Sequence, residues 1–339
     1  MKEKKVSASL PILSIYATPV FLSGLSSLAL SSTEIGNIDQ QFKRTLQNIL
    51  KLAVSSPPAL VHFIAGSLPL TAILHLRLLS LFGMVCRLPT NPLHSHAKHV
   101  LLTSSSSSNS WFIKVRDLLL LYQLPHPLIL LREPPPKTMF KKLVRSKVTD
   151  YWECKLRLSV SPLLGGSLCY FHPEYMSLNR PHKLLTAAGR NPYEVSKALI
   201  QLKFLSSQYS CGERTRHWTP SNPSGLCTNP CCFSDGIVET REHVLLECPA
   251  YSAVRSDMLG HLLRLKNTIS NNFASKTFLV GTKSQQMQLL LDSSTIPEIV
   301  NSYRVHGEQP LADLLYIGRT WCFTIHRTRM KRLGLWNFA

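Results

Sequence analysis

Apolar residues recur at helical spacing through most of the chain. Between 37 and 54, Ile38, Phe42, Leu46, Ile49, Leu50 and Ala53 share one face, while Lys43, Arg44 and Lys51 lie off it. The run Ser55-Ser-Pro-Pro58 ends this helix. A second apolar helix is predicted over 70–88, with His75, Arg77 and Arg87 as its polar marks, so the two form a helical hairpin. Residues 104–108 are a serine run that reads as a linker. The helical pattern resumes from Trp111 to Tyr122, and Pro125, Pro127 and Pro134-Pro-Pro136 mark an extended connection. Residues 137–158 predict a basic helix with Phe140, Leu143, Tyr151 and Trp152 on its apolar side. Asn191-Pro-Tyr-Glu194 is a helix start: Asn191 caps, Pro192 takes the first position, and Glu194 can return a bond to the cap. The fold class this pattern predicts is mostly α.

Charge adds a direction to that picture. The 339 residues carry a formal net charge of +19, which attracts polyanions before any specific contact forms. The hydrophobic fraction of 44% is enough for a core and excludes a wholly disordered chain. Lys137, Lys141, Lys142, Arg145, Lys147, Lys155 and Arg157 load the basic helix. It reads either as a solvated face over a packed core or as a helix lying along phosphates. The N-terminal stretch from Val6 to Leu30 mimics a signal peptide, but Pro11, Pro19 and many serines break it. A strand or loop at the start of a soluble domain is the plainer expectation, and a membrane partner is not expected.

The cysteines carry the sharpest chemistry. Nine is an odd number, and five fall between 211 and 248, beside a histidine. That clustering points to metal in a reducing compartment rather than to disulfides. Cys227 pairs with Cys232 across four residues or with Cys231 across three, both usual for zinc, and His243 and Cys248 supply the second pair. Pro249 stops the helix that carries them. Four protein ligands leave no open position, so a structural Zn2+ is expected. Unliganded, the same residues would be a buried small pair and a helix-capping histidine. A second basic patch, Arg319, Arg327, Arg329, Lys331 and Arg332, follows Asp313 and interleaves with Trp321, Phe323 and Trp336. Basic groups hold phosphates and aromatics stack on bases; alternatively, Trp321 and Ile325 point inward and the arginines face solvent.

Catalytic signatures are missing from the sequence. No two aspartates are adjacent for two-metal chemistry. There is no Gly-x-x-x-x-Gly-Lys loop and no Gly-x-Ser-x-Gly elbow. The chain is therefore not expected to be an enzyme or to take a small-molecule substrate.

Several phrases resemble the C-terminal part of LINE-type (non-LTR) retrotransposon reverse transcriptases. Tyr16-Ala-Thr-Pro-Val-Phe-Leu-Ser-Gly24, Ala65-Gly-Ser-Leu-Pro69 and Leu76-Arg-Leu-Leu-Ser-Leu-Phe82 are similar to the thumb region of that family. Pro181-His-Lys-Leu-Leu185, Ala188-Gly-Arg-Asn-Pro-Tyr-Glu194 and Arg216-His-Trp218 resemble its connector. Cys227, Cys232, His243 and Cys248 match its Cys-Cys-His-Cys knuckle, and in that match Pro230 favours Cys232 over Cys231. Arg319-Thr-Trp-Cys-Phe323 and His326-Arg-Thr-Arg-Met330 resemble its tail. The resemblance implies a thumb-like region over 1–100, a linker and basic connector over 101–210, a zinc knuckle over 211–260 and a basic tail over 261–339. It also implies a nuclear or cytoplasmic part that helps hold template RNA or target DNA, alongside the rest of a retrotransposon polyprotein. The family's paired catalytic aspartates have no counterpart in this sequence. A stand-alone zinc adaptor for proteins is the other expectation, and a decayed fragment without function is the third.

Overall fold

The computed structural model describes residues 10, 12–25, 28, 30–104, 110–217, 222–264, 276–306 and 309–335. Among them the architecture is helical throughout, with one isolated antiparallel bridge between Leu226 and Val238. Within the described part of the N-terminal stretch the expected strand or loop is corrected: Leu13–Ala17 and Thr18–Phe21 are short helical turns, and residues 6–9, 11, 26–27 and 29 lie outside the described residues. Among the described residues no single helix is long and apolar enough to cross a membrane; Pro58–Ala65 and Leu70–Cys86 reach the length only together, and they are bent by 65°.

Helix α1, Ser32–Leu50, begins five residues before the expected start because Ser31 caps it. The Glu34 N–H donates to Ser31 Oγ at 3.3 Å and the Ser31 N–H donates to Glu34 Oε2 at 2.8 Å. It ends at Lys51, whose φ of 51° turns the chain left-handed, so Ala53 lies beyond it. Buried Gln47 donates to the Ala53 and Val54 carbonyls at 3.1 and 3.0 Å, closing the loop that follows. Helices α2, Pro58–Ala65, and α3, Leu70–Cys86, complete the hairpin. Asp39 of α1 accepts the Thr71 N–H at 2.8 Å, which ties α1 to the first turn of α3.

Helices α4, Pro92–Thr103, α5, Trp111–Leu121, and α6, Pro127–Arg132, pack around α3. Helix α7, Lys137–Leu164, lies across α2 and α3. Its buried residues Phe140, Val144, Val148, Trp152, Leu156 and Val160 recur every fourth position, the spacing that keeps one side of a helix against a core. The Trp152 Nε1–H donates to the Tyr122 hydroxyl at 3.0 Å, and that hydroxyl sits 2.7 Å from His75 Nδ1. Desolvation pushes His75 down to about 4, so the imidazole is neutral beside Tyr122.

Residues 165–182 then cross back over α2. Gly66 makes the crossing possible: its φ is +60°, and a Cβ there would lie 1.9 Å from the Arg180 carbonyl carbon. The His182 N–H donates to the Ile64 carbonyl at 3.0 Å in the same place.

The second group comprises α8, Lys183–Ala188, α9, Pro192–Leu205, α10, Ser252–Arg264, α11, Lys283–Asp292, α12, Pro297–His306, and α13, Gln309–Arg332. Helix α13 runs through its centre, against α9, α10 and α11. Trp321, Cys322 and Ile325 are fully buried along it. Asn191 caps α9 as expected, accepting the Tyr193 N–H at 3.0 Å. Glu194 does not return a bond to the cap; it pairs with Lys197 at 2.8 Å and Arg319 at 2.6 Å. Where α8 begins, the Leu184 N–H donates to His182 Nδ1 at 3.2 Å, and Nε2 lies 3.0 Å from buried Asp292 Oδ2. Helices of the 101–210 segment thus contribute to both groups: α7 to the first, α8 and α9 to the second.

Candidate metal centre

Residues 222–240 fold back on themselves. Asn222 brackets Leu226, donating to its carbonyl at 2.8 Å and accepting its N–H at 3.2 Å. The Cys227 N–H donates to the Ile237 carbonyl and the Glu239 N–H to the Gly225 carbonyl, both at 2.9 Å. Gly225, with φ +69°, faces the Gly212 backbone so closely that a Cβ would lie 2.8 Å from the Gly212 oxygen. At the tip, Pro230–Ser234 makes one helical turn with proline in the first position. Successive helical residues point about 100° apart, so Cys232 turns inward and is buried while Cys231 is exposed.

The second pair sits on a different device. The His243 N–H donates to Thr240 Oγ1 at 3.0 Å, and the Cys248 N–H donates to the His243 carbonyl at 2.7 Å. This is a wide turn closed five residues apart, where a regular helix was expected. Pro249 ends it by holding Cys248 at ψ 120°, out of helical conformation.

Cys227, Cys232, His243 and Cys248 are all buried, and one donor atom from each lies within 4.8 Å of the others. Cys227 Sγ and Cys248 Sγ are 3.7 Å apart. A zinc–thiolate bond of about 2.3 Å gives a tetrahedron edge of about 3.8 Å. His243 Nε2 is buried without a hydrogen-bond partner, and Nδ1 lies 3.6 Å from Glu247 Oε2. An orphaned ring nitrogen on a buried histidine clustered with three thiols is the atom a metal would satisfy. The residues fit the ion.

Electrostatics tells the same story. Burial pushes the Cys227 thiol up to about 12 and raises Cys248, while burial lowers His243. Against that, the Asn229 N–H points at Cys227 and the Ala250 N–H at Cys248, each two residues beyond its cysteine. Buried thiolates need a cation, and these amides favour the charged form.

The module is fastened to the body by residues that local spacing does not reveal. Buried Glu239 accepts the Gly212 N–H at 2.7 Å and both arms of Arg329 at 3.0 and 2.7 Å. Arg241 donates to the Ser167 and Phe204 carbonyls at 3.2 and 3.3 Å and lies over the Tyr170 ring. Asn229 donates to Cys232 Sγ at 3.5 Å and accepts from Arg332 at 3.1 Å. Trp321 Nε1 donates to the Leu245 carbonyl at 3.3 Å.

The chain matches no family model, no curated protein and no solved structure.

The expected phosphate contacts divide in two. Lys141, Lys142 and Arg145 are exposed on α7 and Lys147 is half-buried; Arg327, Lys331 and Arg332 are exposed on α13. Arg319 and Arg329 are corrected: each is only 6% exposed, Arg319 paired with Glu194 and Arg329 with Glu239. Burial alone would weaken the Arg329 charge, but the Glu239 hydrogen bonds outweigh it and hold the guanidinium charged. Phe140, Trp152 and Trp321 are buried, so they are core residues and not stacking platforms. Trp336, Trp218 and the serines from 105 to 108 lie outside the described residues.

Proposed function

We propose that this chain is a nucleic-acid-binding, zinc-stapled part of a LINE-type retroelement reverse transcriptase, without polymerase chemistry of its own. The observation that carries the reading is the closed Cys3His set, fastened through Arg332 and Arg329 to a helical body with a basic exposed face. Cys227, Cys232, His243 and Cys248 would hold Zn2+, which supplies cross-linking of the 211–260 segment and, with four protein ligands, no open coordination site. Lys141, Lys142 and Arg145 would meet RNA or DNA phosphates. The phrases that resemble the thumb, connector and tail of that family support the same assignment. Fluorescence anisotropy with labelled RNA and DNA, at low and moderate salt, with and without chelation, tests it. Tight, salt-sensitive binding that weakens on chelation is expected; absent binding by zinc-loaded protein overturns it. A protein-binding adaptor is the second reading. It is favoured by the apolar tip of the zinc segment, where Phe233 is 58% exposed and Ile237 and Val238 are each 37% exposed.

A further inference from the structure

A cavity of about 470 Å³ lies among the N-terminal turn that carries Leu13 and Ile15, α1, the α2–α3 connection, α3 and the crossing segment that follows α7. Phe42, Leu46, Ile73, Leu76 and Leu178 give it apolar walls, and Ser67, Asn179 and Arg145 give it polar groups. Arg145 Nη2 donates to Asn179 Oδ1 at 3.5 Å. Arg145 is also the last step of a ladder: Lys137, Lys141 and Arg145 follow one another at four-residue spacing, all exposed. Such steps are about 6 Å apart along a helix. Like charges at this spacing weaken a helix by a few tenths of a kcal/mol per pair, so folding gives no reason for the ladder. An anionic strand does.

We propose that the cavity receives one unpaired base of a single-stranded nucleic acid whose phosphates run along the ladder. This deepens the proposed function and rests on it. A base is flat and apolar on its faces and carries donors and acceptors on its edge. The cavity offers the matching arrangement, apolar walls with the Asn179 amide and the Ser67 hydroxyl beside them. Arg145 joins the two parts, touching Asn179 and continuing the ladder.

The test compares a labelled single-stranded oligonucleotide with the same strand carrying abasic sugars at its central positions, by anisotropy on the full zinc-loaded chain. The base-bearing strand is expected to bind roughly tenfold tighter, the size of a stacked base. Ser67→Phe, which fills the cavity, is expected to erase that difference. Asn179→Ala, at an exposed loop position, is expected to shrink it and covers the case in which Ser67→Phe fails to fold. Lys141→Gln should weaken both strands equally. Equal binding of both strands by the parent protein overturns the pocket and leaves the nucleic-acid reading standing. An undiminished difference in folded Ser67→Phe and Asn179→Ala also overturns the pocket. No binding of either strand overturns both.

Discussion

Replacing Arg329 by methionine removes a guanidinium that donates to Glu239 at 3.0 and 2.7 Å and lies over the Tyr209 ring. Glu239 is left buried with the Gly212 N–H, 2.7 Å away. Breaking a buried pair from one side costs about 3–5 kcal/mol, whereas an exposed pair is worth about 1 kcal/mol or less. Both side chains here are under a tenth exposed, at 8% and 3%, so the larger figure applies. Glu239→Gln turns one accepting oxygen into an NH2 donor and leaves the buried Arg329 charge unpaired, so it is expected to destabilise as well. The double variant Glu239→Leu/Arg329→Met leaves no stranded charge and should be more stable than the single costs added together, with a coupling of at least about 1 kcal/mol. Urea unfolding followed by circular dichroism measures the cycle, with zinc content and the salt dependence of RNA binding read in parallel. A stability loss under about 0.5 kcal/mol for Arg329→Met, together with a shallower salt dependence, would refute the reasoning. It would mean that Arg329 reaches phosphate and not Glu239.

Other outcomes are sharp enough to check. Cys232→Ser should lose the bound metal in native mass spectrometry while Cys231→Ser keeps it, because only Cys232 is turned into the donor cluster. Lys141→Gln with Lys142→Gln should lower the slope of log affinity against log salt by roughly 0.7 per lost phosphate contact, with the melting temperature unchanged. Gly66→Ala should destabilise by more than about 1 kcal/mol, seen as a lower melting temperature, because its Cβ meets the Arg180 backbone at 1.9 Å. Burial holds His62, His75 and His326 down at about 4 against an ordinary 6.5. The unfolded chain therefore binds more protons between these values, and stability should fall as pH drops from about 6.5 toward 4. His75→Phe should flatten that fall in a series of thermal melts.

What the sequence revealed and what it hid follow one physical division. Helices α3, α5 and α7 were legible because a single buried face repeats along each of them. The start of α1 was misplaced because apolar spacing says nothing of caps, although Ser31 and Glu34 carried the signal. The Cys3His cluster was legible because His243 and the three cysteines lie close in sequence. Choosing between Cys231 and Cys232 took the single turn at 230–234. Arg319 and Arg329 were read as surface charges because their partners stand 125 and 90 residues away. Glu194 satisfies the local rule for a cap residue, but the long-range arginine wins it. Asn229 left a faint trace, two residues past Cys227 and just before proline.

Helix α13 has a consequence for the order in which the chain is made. Its Trp321, Arg329 and Arg332 reach back to Leu245, Glu239 and Asn229, across 76, 90 and 103 residues. During synthesis from the amino end, the helices of the first group emerge early and bury their contacts with one another. The cysteine segment emerges next without its lid. Its inner surface, Glu239 included, would face solvent until α13 clears the ribosome. A nascent chain stalled before Trp321 would thus expose thiols to oxidants and chaperones alike, and early capture of the metal ion would be its main protection.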